Sequence, residues 1–214
     1  MAPRIVLLHG IATTASVWNR VVAALAELGV EDVVAVQRPC TGSLSDELDA
    51  IAPLTEGALV VGQSGGATLA LALASSGHSF AGAVAHEPAV GSLVPALLAP
   101  VAAAFTERGI EGLGSALYGP SWSLDMAGAD LAVIPGELAM FRAFEPAAAR
   151  AGQGPVLVTV GALSPAARHE AAAALHSRLG YEVLSLPGAS HFVAWDAPAT
   201  FAATIAGHRD ALTR

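Results

Sequence analysis

The sequence predicts an α/β fold: a three-layer, doubly wound, mainly parallel sheet of about six strands with a helical cap insertion. Three observations lead there. Short apolar runs alternate with Ala-rich, helix-like segments through most of the chain. The runs are β-branched and apolar on both faces, the pattern of strands covered by helices on both sides. One stretch, residues 89–153, interrupts the alternation with no strand-like run.

The elements follow in order. Residues 4–8 form the first run, bounded by Pro3 and by His9-Gly10. Residues 16–28 are amphipathic, with Val17, Val21, Leu25 and Leu28 near helical spacing. Residues 33–36 form the second run, stopped by Arg38-Pro39, and residues 58–62 the third. Residues 66–74 are almost wholly apolar and read as a buried helix. Residues 81–85, 156–160 and 182–186 complete the strands. Ser164-Pro165 reads as a cap and first-turn proline for a helix over 165–179, ended by Gly180. A last helix is expected over 198–206, with Asp196 as its cap.

Composition narrows the function. The 214 residues suit a single domain, with 89–153 as an insertion within it. Hydrophobic residues make up 54% and charged residues 13%, so disorder is disfavoured. The longest uncharged runs are broken by Gly-Gly, by polar clusters and by Pro95 and Pro100, which argues against a membrane span. The first ten residues have too short an apolar run for a signal peptide. Net charge is −8, there is no Lys, and the ten Arg are scattered, which disfavours nucleic acid as a partner. The single cysteine, Cys40, points to a reducing, cytoplasmic setting. A small molecule is the expected partner, with a homodimer left open. No His, Cys, Asp or Glu cluster has metal-ligand spacing, so no metal and no cofactor are expected.

Three signals carry chemistry. The strongest is Gly62-Gln63-Ser64-Gly65-Gly66, a Gly-x-Ser-x-Gly placed between a buried strand and an apolar helix. A tight turn there lifts the Ser64 hydroxyl out of the sheet, and the helix start aims N–H groups at it. The second is His9-Gly10 after the first strand. Its loop offers the Ile11 N–H to an oxyanion together with the N–H of Gly65, while the His9 side chain is expected to bond within the loop. The third is His191, in a loop of small residues after the last strand. Parallel strands bring these three places to one edge of the sheet. His86 is a reserve histidine.

These motifs, in this order, resemble the α/β-hydrolase superfamily over nearly the whole chain. The resemblance implies a serine esterase-like enzyme in which Ser64 attacks, His191 is its base and Ile11 and Gly65 hold the oxyanion. It also implies that the family's amino-terminal hairpin is missing and that 89–153 is a cap over the substrate. The family's usual acid position, after the next-to-last strand, holds Ser164, read here as a helix cap. Glu87, at the end of the strand after the nucleophile helix, is the preferred acid, since some haloalkane dehalogenases carry theirs at that place. Asp196 and no acid at all remain alternatives. The expected substrate pocket comprises His9, Gln63, Trp122, Met126, Phe141 and Phe192. The absence of Lys excludes a lyase that needs a pocket Lys, and Ser64 disfavours chemistry that needs an Asp nucleophile. Lactone, thioester or C–C hydrolysis and an inactive ligand-binding module stay open.

Overall fold

A computed structural model describes residues 2–213. Six parallel strands form one sheet in the order β2-β1-β3-β4-β5-β6. They are β1 (Ile5–Leu8), β2 (Val33–Val36), β3 (Leu59–Gln63), β4 (Gly82–His86), β5 (Val156–Gly161) and β6 (Glu182–Leu186). Each lies within a residue or two of its sequence-predicted run. The helices are α1 (Asn19–Glu27), α2 (Leu44–Thr55), α3 (Gly65–Ser76), α4 (Ala99–Tyr118), α5 (Ile134–Ala143), α6 (Ala166–Leu179), α7 (Val193–Asp196) and α8 (Pro198–Ala211).

The chain leaves β1 towards β2, then returns across it to build β3 to β6 on the other side. Right-handed crossovers therefore place α1 on one face and α3 and α6 on the other. α8 packs against α1 and shares its face, and α2 packs against α3. The reversal falls between β1 and β3, whose carboxyl ends form a switch-point crevice. Strands β1, β3 and β4 are wholly buried, as two-sided apolar runs require. The edge strand β6 is not covered on both faces: Val183 and Leu184 are exposed.

Three details depart from the sequence reading. The amphipathic stretch starts as a 3-10 turn, Ala15–Trp18, and only then becomes α1. Leu28 lies past its end and is exposed. The helix α2 was not visible in the apolar pattern, because Pro53 interrupts it and two of its buried residues, Glu47 and Thr55, are polar. Neither Ser164 nor Asp196 caps a helix. α6 begins after Pro165 and α8 after Ala197, and neither has a side-chain cap. No helix among the described residues is long and apolar enough to cross a membrane.

Between β4 and β5 the chain forms α4, α5 and short 3-10 turns, with no strand. Gly109 breaks α4 into two halves, with φ of 61° and ψ of −145°. The second half ends at Tyr118, which lies over the carboxyl end of the sheet.

Candidate active site

β3 runs directly into α3, and Ser64 sits on the turn between them with φ of 56° and ψ of −119°. That backbone is strained for a residue with a Cβ, at a cost of about 1–3 kcal/mol, and such strain is held only where the surroundings dictate it. The glycines around it are required by close approach. A Cβ on Gly62 would lie 2.2 Å from Gly66, and one on Gly66 would lie 1.9 Å from the Leu8 carbonyl. The Ser64 N–H donates to the His86 carbonyl at 2.9 Å, which pins the turn to β4.

Across the switch point lies the loop after β1. Ala12 there has φ of 52°. Carbonyls of this loop accept hydrogen bonds from several directions. The Tyr118 hydroxyl donates to the Ile11 carbonyl at 2.7 Å, and the Trp122 indole N–H to the Ala12 carbonyl at 2.8 Å. Among the described residues the Ile11 N–H has no protein acceptor. Gly65 is the first residue of α3, where an N–H has no intrahelical partner. Both residues line a cavity with Ser64.

His191 follows β6 and is buried. Its Nδ1 lies 2.8 Å from Glu87 Oε2. A carboxylate only accepts, so Nδ1 carries the proton and Nε2 the lone pair. Glu87 ends β4 in a left-handed turn, with φ of 49°. Its other oxygen accepts from the Gly161 N–H at 2.8 Å and from the Ser164 hydroxyl. Ser164 is thus a hydrogen-bond partner of the buried acid, and not a helix cap. Burial opposes ionisation of Glu87, but the hydrogen bond and charge of His191, with His86 and Arg168 nearby, hold its carboxyl well below the usual range. Burial, with Arg168 beside it, pushes the His191 imidazole down from 6.5 to about 4. The pair is therefore an ionised carboxylate and a neutral imidazole at neutral pH.

Asp196 lies elsewhere and accepts from the Ser190 hydroxyl at 3.3 Å. His86 is buried, 3.0 Å from both Thr159 Oγ1 and the Ser190 carbonyl, and burial lowers its pKa. Cys40 is half-buried, and burial pushes its thiol up to about 12, which keeps it inert.

The structure also brings in Arg168, which sequence reasoning missed. It lies in the first turn of α6 and is 9% exposed. Its Nη1 donates to the Glu87 carbonyl at 3.2 Å, and its Nε lies 3.5 Å from Glu87 Oε2. Its Nη2 lies 3.4 Å from His191 Nε2. Arginine is only a donor, so this N–H faces the imidazole lone pair. Among the described residues no hydrogen bond joins the Ser64 hydroxyl to His191. Tyr118 stacks on His191 at 5.6 Å between ring centres, and its hydroxyl lies beside Ser64.

The cavity at Ser64 is small, about 20 Å³, enough for one water. Of the expected pocket residues only Phe141 lines it. His9 turns away to the Gly10 carbonyl and the Arg38 N–H, at 2.9 and 3.3 Å, and burial lowers its pKa to about 3. Gln63 accepts from the Ala194 N–H at 2.9 Å. Trp122 and Phe192 are buried in packing, and Met126 is half-buried against the core. The apolar walls come instead from Leu98, Val101, Leu117 and Leu138. A larger outer groove of about 530 Å³ adjoins the cavity, and Leu98 and Phe141 line both. These two side chains stand between groove and nucleophile. Among the described residues no group of three or more His, Cys, Asp or Glu side chains is placed to hold a metal.

A parallel sheet with a strained serine at its switch point, two amides facing it and a His–carboxylate pair at the same edge defines the α/β-hydrolase class of proteins. The chain belongs to the alpha/beta hydrolase family, whose model matches residues 5–204. Solved structures of the same fold include the enol-lactonase from Burkholderia xenovorans LB400, at 21% identity and a TM-score of 0.72, covering 100% of this chain and 92% of that one. NosK from Streptomyces actuosus is similar at 21% identity and a TM-score of 0.72, covering 100% of both chains. Carboxylesterase CesB (YbfK) from Bacillus subtilis matches at 19% identity and a TM-score of 0.61, covering 97% of this chain and 83% of that one. Comparison with curated protein sequences gives no match.

Proposed function

We propose that this protein is a serine hydrolase that cleaves an ester-like bond of a small, largely apolar substrate through an acyl-enzyme. The observation that carries the reading is the 2.8 Å contact between His191 Nδ1 and Glu87, at the sheet edge where Ser64 is lifted on its strained turn. In this reading Ser64 Oγ attacks the acyl carbon and its proton passes to His191 Nε2. The N–H groups of Ile11 and Gly65 hold the oxyanion. The tetrahedral species collapses, and the leaving oxygen takes the proton from Nε2. Water then gives a proton to Nε2 as its oxygen attacks the acyl group, and Ser64 leaves with that proton. Glu87 keeps the imidazole in the required tautomer and stabilises the imidazolium. Residues 89–153 act as the cap: their Leu and Phe side chains exclude water from the cavity.

A fluorophosphonate probe tests this. Covalent labelling of the wild type that disappears in Ser64→Ala is expected, together with hydrolysis of short-chain esters that needs the same hydroxyl. An unlabelled, well-folded wild type would leave the chain a binding module. Profiling of oxygen esters against lactones and thioesters sets the bond type.

A further inference from the structure

We propose that Arg168 binds a carboxylate on the substrate, and that in the empty site it occupies the lone pair through which His191 acts. The inference deepens the serine-hydrolase reading and rests on it.

The geometry is specific. Arg168 is the only charged side chain lining the Ser64 cavity, whose remaining wall is almost wholly aliphatic or aromatic. A lining of that kind suits a ligand with an apolar body and one anionic group, which enters once Leu98 and Phe141 part to join the cavity to the outer groove. The guanidinium has five N–H donors. Two are engaged, one from Nη1 to the Glu87 carbonyl at 3.2 Å and one from Nη2 to His191 Nε2 at 3.4 Å, while Nε lies 3.5 Å from Glu87 Oε2 as an ion pair. One N–H on each terminal nitrogen is left over to donate to a carboxylate.

The contact to Nε2 has a consequence for the reaction. The lone pair that must receive the Ser64 proton faces an N–H at 3.4 Å, and a cation there opposes formation of imidazolium. A carboxylate–guanidinium pair is shorter and stronger than a long contact to a neutral ring. A substrate carboxylate therefore draws Arg168 off Nε2, offsets its charge and frees the base. The other groups facing His191 do not supply this. Glu87, just past β4, lies at its Nδ1 with His86 of β4 against the far oxygen of that carboxylate, and Tyr118 of α4 stacks on its ring. A neutral ester leaves the guanidinium where it is.

The test uses matched esters in a proton-release assay: monomethyl succinate, glutarate and adipate against methyl butanoate, pentanoate and hexanoate. In the wild type kcat/KM favours the acid-bearing esters by about tenfold or more. In Arg168→Gln that preference disappears, and the acid limb of kcat/KM for the neutral esters moves up from about 4, by less than the full return to 6.5 because His191 stays buried. Arg168→Lys, which keeps a cation, retains part of the preference. Equal loss on both ester series, with no change in the pH profile, would reduce Arg168 to a brace for Glu87 and overturn the proposal. If no ester in either series is cleaved, the Ser64 reading fails, and calorimetry with glutarate then decides this one. Binding to Ser64→Ala that is lost when Arg168→Gln is added upholds it; binding indifferent to Arg168, or none, overturns it.

Discussion

Arg38, just beyond β2, and Arg168, in the helix after β5, each meet a buried histidine and a buried carboxylate. Arg38 donates from Nε to the His9 carbonyl at 2.8 Å, from Nη1 to Glu47 at 2.8 Å and from Nη2 to Glu137 at 2.7 Å. Its Nη2 also reaches the Gly10 carbonyl at 3.3 Å. Arg168 makes no contact shorter than 3.2 Å and keeps two N–H groups spare. The first cluster is tightly held, by three contacts of 2.8 Å or less. It ties the loop after β1 to α2 and, through Glu137, to α5. The second is under-coordinated and opens on the cavity at Ser64. The same residue types serve as a rivet where the contacts are short and charged, and as a site where they are long and each terminal nitrogen keeps a donor over.

Changes to the two clusters should therefore read out differently. Glu87→Gln removes the charge that orients and stabilises His191, and kcat should fall by about 10⁴-fold in a steady-state assay. Arg38→Ala leaves Glu47 and Glu137 buried without a counter-charge. Thermal unfolding should show a loss of about 3–5 kcal/mol. A Tm within a degree or two of wild type would show that this cluster holds nothing.

Acid should destabilise both clusters through their histidines. The folded pKa of His191 is about 4 and that of His9 about 3, each below the ordinary 6.5. The unfolded chain thus takes up protons first, so stability is full above about 6.5 and declines as pH falls towards the folded values. Tm measured from pH 7 to 4 should drop steadily, and a flat profile would contradict the buried neutral state. The smallest effect is expected at Phe141→Ala, which joins the outer groove to the cavity. Esters with longer acyl chains should gain about 2- to 10-fold in kcat/KM, from the few kcal/mol or less at stake in one hydrophobic wall.

The parts of the site set by short-range rules were legible in the sequence. Gly62 to Gly66 announce the serine turn because the turn from strand to helix sets its own local pattern, in which Gly62 must pass Gly66 closely. The strands were legible because two-sided burial leaves a continuous apolar run, and the two edge strands, β2 and β6, are apolar beyond what their own burial requires. The pocket was not legible. Trp122 and Phe192 are large and apolar, as lining residues are, but which way they point depends on packing between distant segments. The same holds for Ser164, whose hydrogen bond to Glu87 spans 77 residues. Arg168 did leave a trace: it is a cation in the first turn of α6, where the helix dipole disfavours positive charge. A local preference broken without local compensation marks a residue held by something farther away.

The break at Gly109 divides the work of α4. Its later half is fastened to the loop after β1 through Tyr118, and Trp122 adds a second tie just beyond. Among the described residues, 93–108 make no side-chain hydrogen bond outside their own segment, and Leu98 and Val101 ride on that stretch. A flap fastened at one end swings from the other. Any traffic in and out of the site then falls to the front of the helix, while its back keeps the loop of Ile11 and Ala12 in register. Stiffening Gly109 would slow the traffic and leave the chemistry alone.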